Sequence, residues 1–338
     1  MKSGICLAAA SAALLLVPAR AGDCGKLVSY GTVSLTDIPG RSSAFVPVEI
    51  AGVPKLMEVD TGAGVTTITS AAANELNLKS TRTDVPVYDL TGANASQFVS
   101  ASLKIGGLSG DKVHFMLGTA YLDNFGDPRV AGLLGADILQ KFDVSIDFGA
   151  HTFALLSQDH CDGQVVYWPE RPLAVIPFKL ENGTDIILEV NLDGQDFKAQ
   201  LDTGAGTSTL EKGKAQRSFD IVPGSADTPA AGSLGGDERI PTWKHTFKTL
   251  SLAGIEVANP TIYIIPDKFD ENVNTWSTGS LLDRRANSVE IPPMLLGMDV
   301  LRHLHIYIAY REKKLYITPA AGEPPPGAAP AATPEQAK

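Results

Sequence analysis

Cysteine, methionine and tryptophan are scarce in this chain, which has 3, 5 and 3 of them among 338 residues. So few cysteines cannot build the dense disulfide framework of a small secreted domain, and none has the close spacing of a zinc or redox motif. Basic residues are outnumbered 28 to 38 by acidic ones, which gives a formal net charge of −10. This balance argues against nucleic acid and against an anionic membrane surface as partners.

Several common catalytic and cofactor motifs are also missing from the sequence. It has no glycine-rich phosphate loop with a lysine, no Gly-x-Ser-x-Gly and no His-Glu-x-x-His, so nucleotide binding, serine-hydrolase chemistry and zinc-protease chemistry lack their usual marks. His303 and His305 alternate as on one strand face, but no third ligand follows at metal-binding spacing. We therefore expect neither a metal nor a cofactor.

No apolar run in the sequence reaches the roughly 20 residues that a membrane-spanning helix requires. The N-terminal segment instead combines Lys2, an apolar run over 5–17 and the small-x-small end Ala19-Arg20-Ala21, which is typical of a signal peptide. We expect residues 1–21 to be removed and the protein to be exported, either to a periplasm or as a secreted protein. A lipid anchor on Cys24 is the alternative.

What the chain does contain is a short motif that occurs twice. Val-Asp-Thr-Gly-Ala-Gly at 59–64 returns as Leu-Asp-Thr-Gly-Ala-Gly at 201–206, 142 positions later. Each copy places one carboxylate, Asp60 or Asp202, after an alternating apolar run and before a turn of small residues. A single Asp-Thr-Gly arises easily by chance in a chain of this length, whereas two copies in matched surroundings indicate an internal duplication.

The duplication extends well beyond the motif. Alternating apolar residues and a turn glycine, Gly52 or Gly194, precede each aspartate and predict a β-hairpin whose second strand ends at the aspartate. The apolar pattern around Leu103 returns after 147 positions, and the Leu-Leu-Gly triplet at 133–135 returns after 162. Strand patterns of this kind dominate, so the chain should be mainly β with a few short helices.

An Asp-Thr-Gly-Ala followed, 75 residues after its aspartate, by the glycine of Leu-Leu-Gly resembles one lobe of a retropepsin-like aspartic protease. Two such units in one chain are similar to the bilobal plan of the pepsins. The resemblance implies two pseudo-symmetric, acid-protease-like β-barrel lobes with the active site in the cleft between them. The expected segments are a signal peptide (1–21), an N-terminal arm (22–41), an N-terminal lobe (42–157), an inter-lobe connection (158–173), a C-terminal lobe (174–318) and a disordered Pro/Ala-rich tail (319–338).

The resemblance also implies the chemistry. Asp60 and Asp202 would meet at the lobe interface, share one proton and activate a water that hydrolyses peptide bonds. The expected function is therefore an exported aspartic endopeptidase acting on peptides or proteins, and a monomer, because one chain supplies both aspartates. The alternative is a catalytically inactive peptide-binding or scaffold protein of the same fold.

Supporting residues follow from the same family motif. In the family they hydrogen-bond the two loops to each other, supply a hydroxyl beneath each loop and let backbone N–H groups approach the carboxylates. The matching positions in this chain are Thr61, Gly62, Thr66, Thr203, Gly204 and Ser208.

Two pairs of positions depart from the family pattern. Ala63 and Ala205 replace the hydroxyl residue that pepsins place beside each carboxylate, as retropepsins also do. One hydrogen bond fewer to the charged form depresses the carboxyl pKa less, so we expect activity at mildly acidic to near-neutral pH. Gly64 and Gly206 stand where retropepsins commonly have Asp or Ser for the substrate backbone, so substrate binding is expected to be weaker or differently arranged.

Small-residue stretches predict hairpin flaps over the cleft. The candidates are Gly92 and Asn94 in the first lobe and Gly232 and Gly235 in the second. The second repeat is longer by 20 residues, and most of these fall in 266–290. That loop is either functional or a solvated insertion.

Local patterns give further expectations. Cys24 and Cys161, the cysteines left after removal of 1–21, form one disulfide or remain two free thiols. Short helices are expected at 70–76 with Ser70 as N-cap, and at 136–141 and 298–303 after each Leu-Leu-Gly. Asp143 and Asp147 flank the next strand after 136–141 and should face solvent.

Overall fold

Strands dominate the computed structural model, which describes residues 24–88, 94–119, 125–167, 173–233, 238, 240–267 and 292–320. No helix in this part of the chain is long and apolar enough to cross a membrane. The strands are β1 (Ser29–Ser34), β2 (Phe45–Ile50), β3 (Val53–Val59), β4 (Thr67–Ile68), β5 (Thr81–Tyr88), β6 (Asn94–Ile105), β7 (Leu108–Leu117), β8 (Val130–Leu134), β9 (Asp143–Asp147), β10 (Thr152–Leu156), β11 (Ala174–Pro177), β12 (Lys179–Glu181), β13 (Asp185–Leu192), β14 (Gln195–Leu201), β15 (Thr209–Glu211), β16 (Ala230–Ser233), β17 (Pro241–Thr246), β18 (Thr249–Leu252), β19 (Ile255–Ala258), β20 (Thr261–Ile265), β21 (Met294–Leu296), β22 (Leu304–Ala309) and β23 (Lys314–Pro319). The helices are α1 (Ser70–Glu75), α2 (Ala136–Leu139), α3 (Lys212–Phe219) and α4 (Met298–Leu301).

In the part of the chain that the structure describes, each lobe is built on one mixed sheet, with seven strands in the first lobe and ten in the second. The first sheet runs in the order β4-β7-β6-β2-β3-β8, with β5 beside β6. The second runs β16-β17-β20-β15-β21-β14-β13-β18-β19, with β12 beside β13. The predicted fold class, a mainly β chain with two lobes, is confirmed.

Corresponding strands of the two lobes pair in corresponding register. Three pairings fix the first lobe, namely Val46 with Met57, Ile50 with Leu103, and Val59 with Leu134 in the parallel pair of β3 and β8. Their counterparts are Leu188 with Ala199, Leu192 with Leu250, and Leu201 with Leu296 in the parallel pair of β14 and β21. The sequence offsets of 142, 147 and 162 are therefore offsets between equivalent strands.

A third, six-stranded sheet joins the lobes in the order β1-β10-β9-β22-β23-β11. At its centre β9 of the first repeat runs antiparallel to β22 of the second, with Ile146 opposite Ile306. Strand β1 comes from the arm predicted at 22–41, so the arm supplies an edge strand of this joining sheet.

The two cysteines hold chain segments against the joining sheet. Cys24 and Cys161 form a disulfide, with their Cα atoms 5.0 Å apart. Val165 is fully buried in a cluster that includes Tyr307 and Tyr316, and Leu27 packs against the same cluster. The described part of the predicted connection 158–173 therefore packs on the sheet.

Asp143 is fully buried, and the prediction that it faces solvent is wrong. Its carboxylate lies 2.7 Å from His160 Nε2 and accepts hydrogen bonds from the Tyr307 hydroxyl (3.0 Å) and the Tyr310 N–H (3.1 Å). Burial raises the pKa of Asp143. The cause is long-range, because β9 becomes an interior strand only by pairing with β22. Asp147, at the other end of β9, is half-buried.

The hairpin turn predicted at Asp193-Gly194 is present in the structure, whereas the N-cap predicted for the first helix is not. Asp193 and Gly194 have positive φ angles of 46° and 84°, as the hairpin turn requires. Helix α1 is capped by Thr69 and not by Ser70, because the Thr69 hydroxyl accepts a hydrogen bond from the Ala72 N–H at 3.0 Å. Helix α3 was not predicted.

The C-terminal boundary also differs slightly from the expected one. Strand β23 ends at Pro319, and the N–H of buried Ala320 donates to the His303 carbonyl at 2.8 Å. The second lobe therefore extends two residues into the predicted tail, because the backbone bond to His303 secures the end of the strand.

Candidate active site

The two aspartates lie at the ends of equivalent strands. Asp60 follows β3, and its N–H donates to the Leu134 carbonyl of the parallel neighbour β8 at 3.1 Å. Asp202 follows β14, and its N–H donates to the Leu296 carbonyl of β21 at 3.0 Å. Each aspartate is thus fixed by a buried parallel strand pair before the turn begins.

Backbone N–H groups of each turn point back at its own carboxylate. The N–H groups of Gly62 and Ala63 donate to Asp60 Oδ1, both at 2.9 Å. Those of Gly204 and Ala205 donate to Asp202 Oδ1 at 2.9 and 3.1 Å. These bonds favour the ionised carboxylates, and since residues 63 and 205 are alanines, neither can add a hydroxyl.

Each carboxyl group also lies against the turn of the opposite lobe. A Cβ atom placed on Gly62 would be 2.4 Å from Asp202 Cγ, and one on Gly204 would be 2.4 Å from Asp60 Cγ. No side chain fits at that distance, so both glycines are required by the approach of the other lobe's acid. The structure therefore brings Asp60 and Asp202 together, 142 positions apart in the chain.

The threonines after the aspartates tie the loops to each other. The Thr61 N–H donates to Thr203 Oγ1, and the Thr203 N–H donates to Thr61 Oγ1, both at 3.1 Å. The Thr61 hydroxyl donates to the Leu201 carbonyl at 2.9 Å, and that of Thr203 to the Val59 carbonyl at 2.6 Å. Both threonines are fully buried, so this network fixes the separation of the two lobes at the site.

The Thr66 and Ser208 hydroxyls hydrogen-bond to the turns that precede α2 and α4, and not to the Asp60 and Asp202 carboxylates. The Thr66 hydroxyl donates to Asp137 Oδ1 at 2.6 Å and accepts from the Gly135 N–H at 3.1 Å. The Ser208 hydroxyl makes the equivalent bonds, to Asp299 Oδ1 at 2.6 Å and from the Gly297 N–H at 2.9 Å. Each hydroxyl thereby joins its aspartate loop to the turn that begins α2 or α4.

Asp137 and Asp299 were not assigned to the site from sequence. Each also accepts the backbone N–H of its partner, Thr66 or Ser208, at 2.8 Å. The repeat itself contained the signal, because both acids stand two residues after the Leu-Leu-Gly glycine of their repeat.

Burial raises the pKa of both central acids. It raises the pKa of Asp60 to about 6, helped by the nearby Glu58 carboxyl and opposed by the N–H bonds from Gly62 and Ala63. Burial, followed by the charge of Asp60, raises the pKa of Asp202 well above its ordinary value. Two carboxyl groups this close cannot both ionise easily, so the pair retains one proton near pH 6 and above.

Glu58 is a third acid that the sequence analysis did not assign to the site. It stands two residues before Asp60 on β3 and is only 4% exposed. Burial raises its pKa to about 7. The sequence offered one indication, a glutamate inside an otherwise apolar strand end, Leu-Met-Glu-Val.

The predicted flaps are only partly visible. Asn94 begins β6 opposite Tyr88 of β5, and Gly232 lies in β16, which pairs with β17. Gly92 and Gly235 lie outside the described residues, as does most of the loop 266–290. Among the described residues, no group of three or more His, Cys, Asp or Glu is arranged to hold a metal.

Two β lobes that each bring an Asp-Thr-Gly loop to one buried centre define the class of bilobal aspartic peptidases. Comparison with protein families agrees, since the model described as "Aspartyl protease" matches residues 46–138 and 188–300, together more than half of the chain. The chain therefore belongs to the aspartyl protease family, as a duplicated, single-chain member of the retropepsin or pepsin type.

Comparisons with individual proteins add little to this assignment. No curated protein matches the chain. Among solved structures, an aspartic proteinase from Irpex lacteus is similar, with 12% sequence identity and a TM-score of 0.48. That match covers 86% of this chain and 97% of the Irpex protein.

Proposed function

We propose that this protein is an exported aspartic endopeptidase in which Asp60 and Asp202 activate a water for peptide-bond hydrolysis. The observation that carries the proposal is the reciprocal fit of the carboxyl groups, each lying against the glycine of the opposite Asp-Thr-Gly loop. Such a pair shares a proton, and one water between two carboxyl groups can be activated by the ionised member.

The chemistry needs one ionised and one protonated acid, and the raised pKa values of Asp60 and Asp202 support a shared proton. The ionised acid takes a proton from the water. The other acid keeps the shared proton and donates it to the oxygen of the scissile carbonyl. The water oxygen bonds to the carbonyl carbon and gives a gem-diol. In its breakdown the acid that took the water proton passes it to the amide nitrogen, the C–N bond breaks, and one gem-diol hydroxyl returns its proton to the other acid. No covalent bond to the protein forms.

Access to the site supports an endopeptidase. Asp60 and Asp202 are half-buried and not sealed from solvent, and their loops lie between two lobes, so an extended peptide can cross the site with chain on both sides. Because one chain supplies both acids, we propose that the monomer is active.

Export rests on two independent features. Residues 1–21 have the charge and apolar pattern of a signal peptide. The pairing of Cys24 with Cys161 is the kind of bond that persists in oxidising compartments. We therefore propose a periplasmic or secreted location.

Cleavage of a denatured protein by wild type, Asp60→Asn and Asp202→Asn, each with and without a statine-type inhibitor, tests the proposal. We expect the inhibitor to block wild type and each variant to lose activity by roughly a thousandfold, within the usual contribution of a general acid or base, with unchanged circular dichroism. A wild-type protein that binds peptides without cleaving them would support the inactive peptide-binding alternative instead.

A further inference from the structure

Glu58 is an acid in surroundings that do not favour its charge. On β3 its register neighbours are Phe45 of β2 and Leu133 of β8, and both are buried. Burying a carboxylate among apolar side chains costs free energy unless nearby groups stabilise its charge.

The groups that face Glu58 come from three parts of the molecule. The Ser43 hydroxyl hydrogen-bonds to it and the Arg41 guanidinium attracts it, both from the segment before β2. Asp202 repels it from the other lobe, and it repels Asp60, which follows β3 two residues after Glu58. Glu58 therefore interacts with both central acids, against one nearby cation.

The duplication provides an internal comparison. The residue equivalent to Glu58, 142 positions later, is Gln200. Gln200 has the equivalent neighbours, Ile187 of β13 and Leu295 of β21. Glutamate and glutamine have the same shape, so at this position the two lobes differ in charge and hardly at all in size.

We propose that Glu58 is a positioning residue that makes the two halves of the catalytic pair unequal and sets the pH range of the reaction. It acts through Asp60 and Asp202, and the inference rests on the proposed function. An ionised Glu58 disfavours a second negative charge on the adjacent acids, so the pair holds its shared proton to higher pH than it would alone.

Glu58→Gln tests this inference, because it gives the first lobe the residue that the second already has. Removing the negative charge should let the pair lose its shared proton at lower pH and move the basic limb of the kcat/KM profile down by about one pH unit, a usual size for a neighbouring charge. Gln200→Glu should move the limb up, and the double exchange should bring it back toward wild type. A limb that moves by less than about 0.3 unit in both single variants overturns the inference.

A second measurement does not require turnover. ¹³C NMR titration of aspartate-labelled protein, with the central acids assigned from Asp60→Asn and Asp202→Asn, reports directly the midpoint at which the pair loses its shared proton. A lower midpoint in Glu58→Gln supports the inference even if wild type cleaves nothing and the proposed function fails, and an unchanged midpoint overturns it. If Glu58→Gln does not fold, Gln200→Glu decides alone, since an upward shift is required of it.

Discussion

Replacing Gly62 by alanine should disable the site while leaving the chemistry of both acids in place. The new Cβ would lie 2.4 Å from Asp202 Cγ and 2.5 and 2.6 Å from its two oxygens. Non-bonded carbon atoms rest at about 3.5–4.0 Å, so the Asp202 carboxyl or the Gly62 turn must move by about 1 Å. A displacement of that size at a reacting group costs roughly a hundredfold in rate.

Gly64→Ala is the matched control, two residues further along the same loop. Its Cβ would meet only Thr184 Oγ1, at 3.4 Å, which is an ordinary contact. Gly204→Ala and Gly206→Ala form the equivalent pair in the second lobe, where a Cβ on Gly206 would come no closer than 3.9 Å to Ser42.

The assay is kcat/KM on a quenched fluorescent peptide, with thermal unfolding measured alongside. Gly62→Ala and Gly204→Ala should each lose about a hundredfold or more in kcat/KM, and each should lose about 1–3 kcal/mol of stability through overpacking. The controls should stay within a few-fold of wild type. Equal activity of Gly62→Ala and Gly64→Ala would refute the reasoning, because the two carboxyl groups could then not depend on the close approach.

Three further predictions concern stability. The pKa of Asp60 is raised from 3.8 to about 6, so ionisation of Asp60 destabilises the native state as pH rises through that range. In urea unfolding, the free energy of unfolding of Asp60→Asn should equal that of wild type near pH 4 and exceed it by up to roughly 3 kcal/mol near pH 7.5. An equal difference at both pH values would contradict this. Replacing Cys24 and Cys161 by serine opens a link of sequence separation 137 and should cost about 2–4 kcal/mol, seen as a lower Tm that reductant no longer changes. Thr61→Val removes the hydroxyl that donates to the Leu201 carbonyl and should cost about 1–3 kcal/mol; a variant of unchanged Tm would show that the threonine network does not hold the lobes.

The parts of this protein that could be predicted from sequence are those that the duplication repeats. Asp60 and Asp202 were found because each follows the same hairpin and precedes the same turn, and the strands pair at the offsets that the repeat gave. Thr61 and Thr203 were found in the same way, through their resemblance to the family motif.

What sequence missed depends on contacts between distant segments. Asp143 looks exposed in its own sequence, and it is buried only because β22 pairs with β9. Glu58 breaks the apolar pattern of β3, and its significance follows from the arrival of Asp202 from the other lobe. Helix α3 has too few apolar side chains to show a helical period, with only Gly213 and Ala215 buried.

The seam between β9 and β22 has the pattern of contact found in symmetric dimers. Val144 lies opposite Ile308, and Ile146 lies opposite Ile306. With the repeat offset of 162, the residue equivalent to Val144 is Ile306 and the residue equivalent to Ile146 is Ile308. Exchanging the two repeats therefore turns the Val144–Ile308 pairing into the Ile306–Ile146 pairing. This is self-complementary contact within one polypeptide. A fragment that holds a single repeat would expose β9 or β22 as a free edge strand able to pair with another copy of itself. In the duplicated chain the covalent link between the repeats always supplies the partner strand.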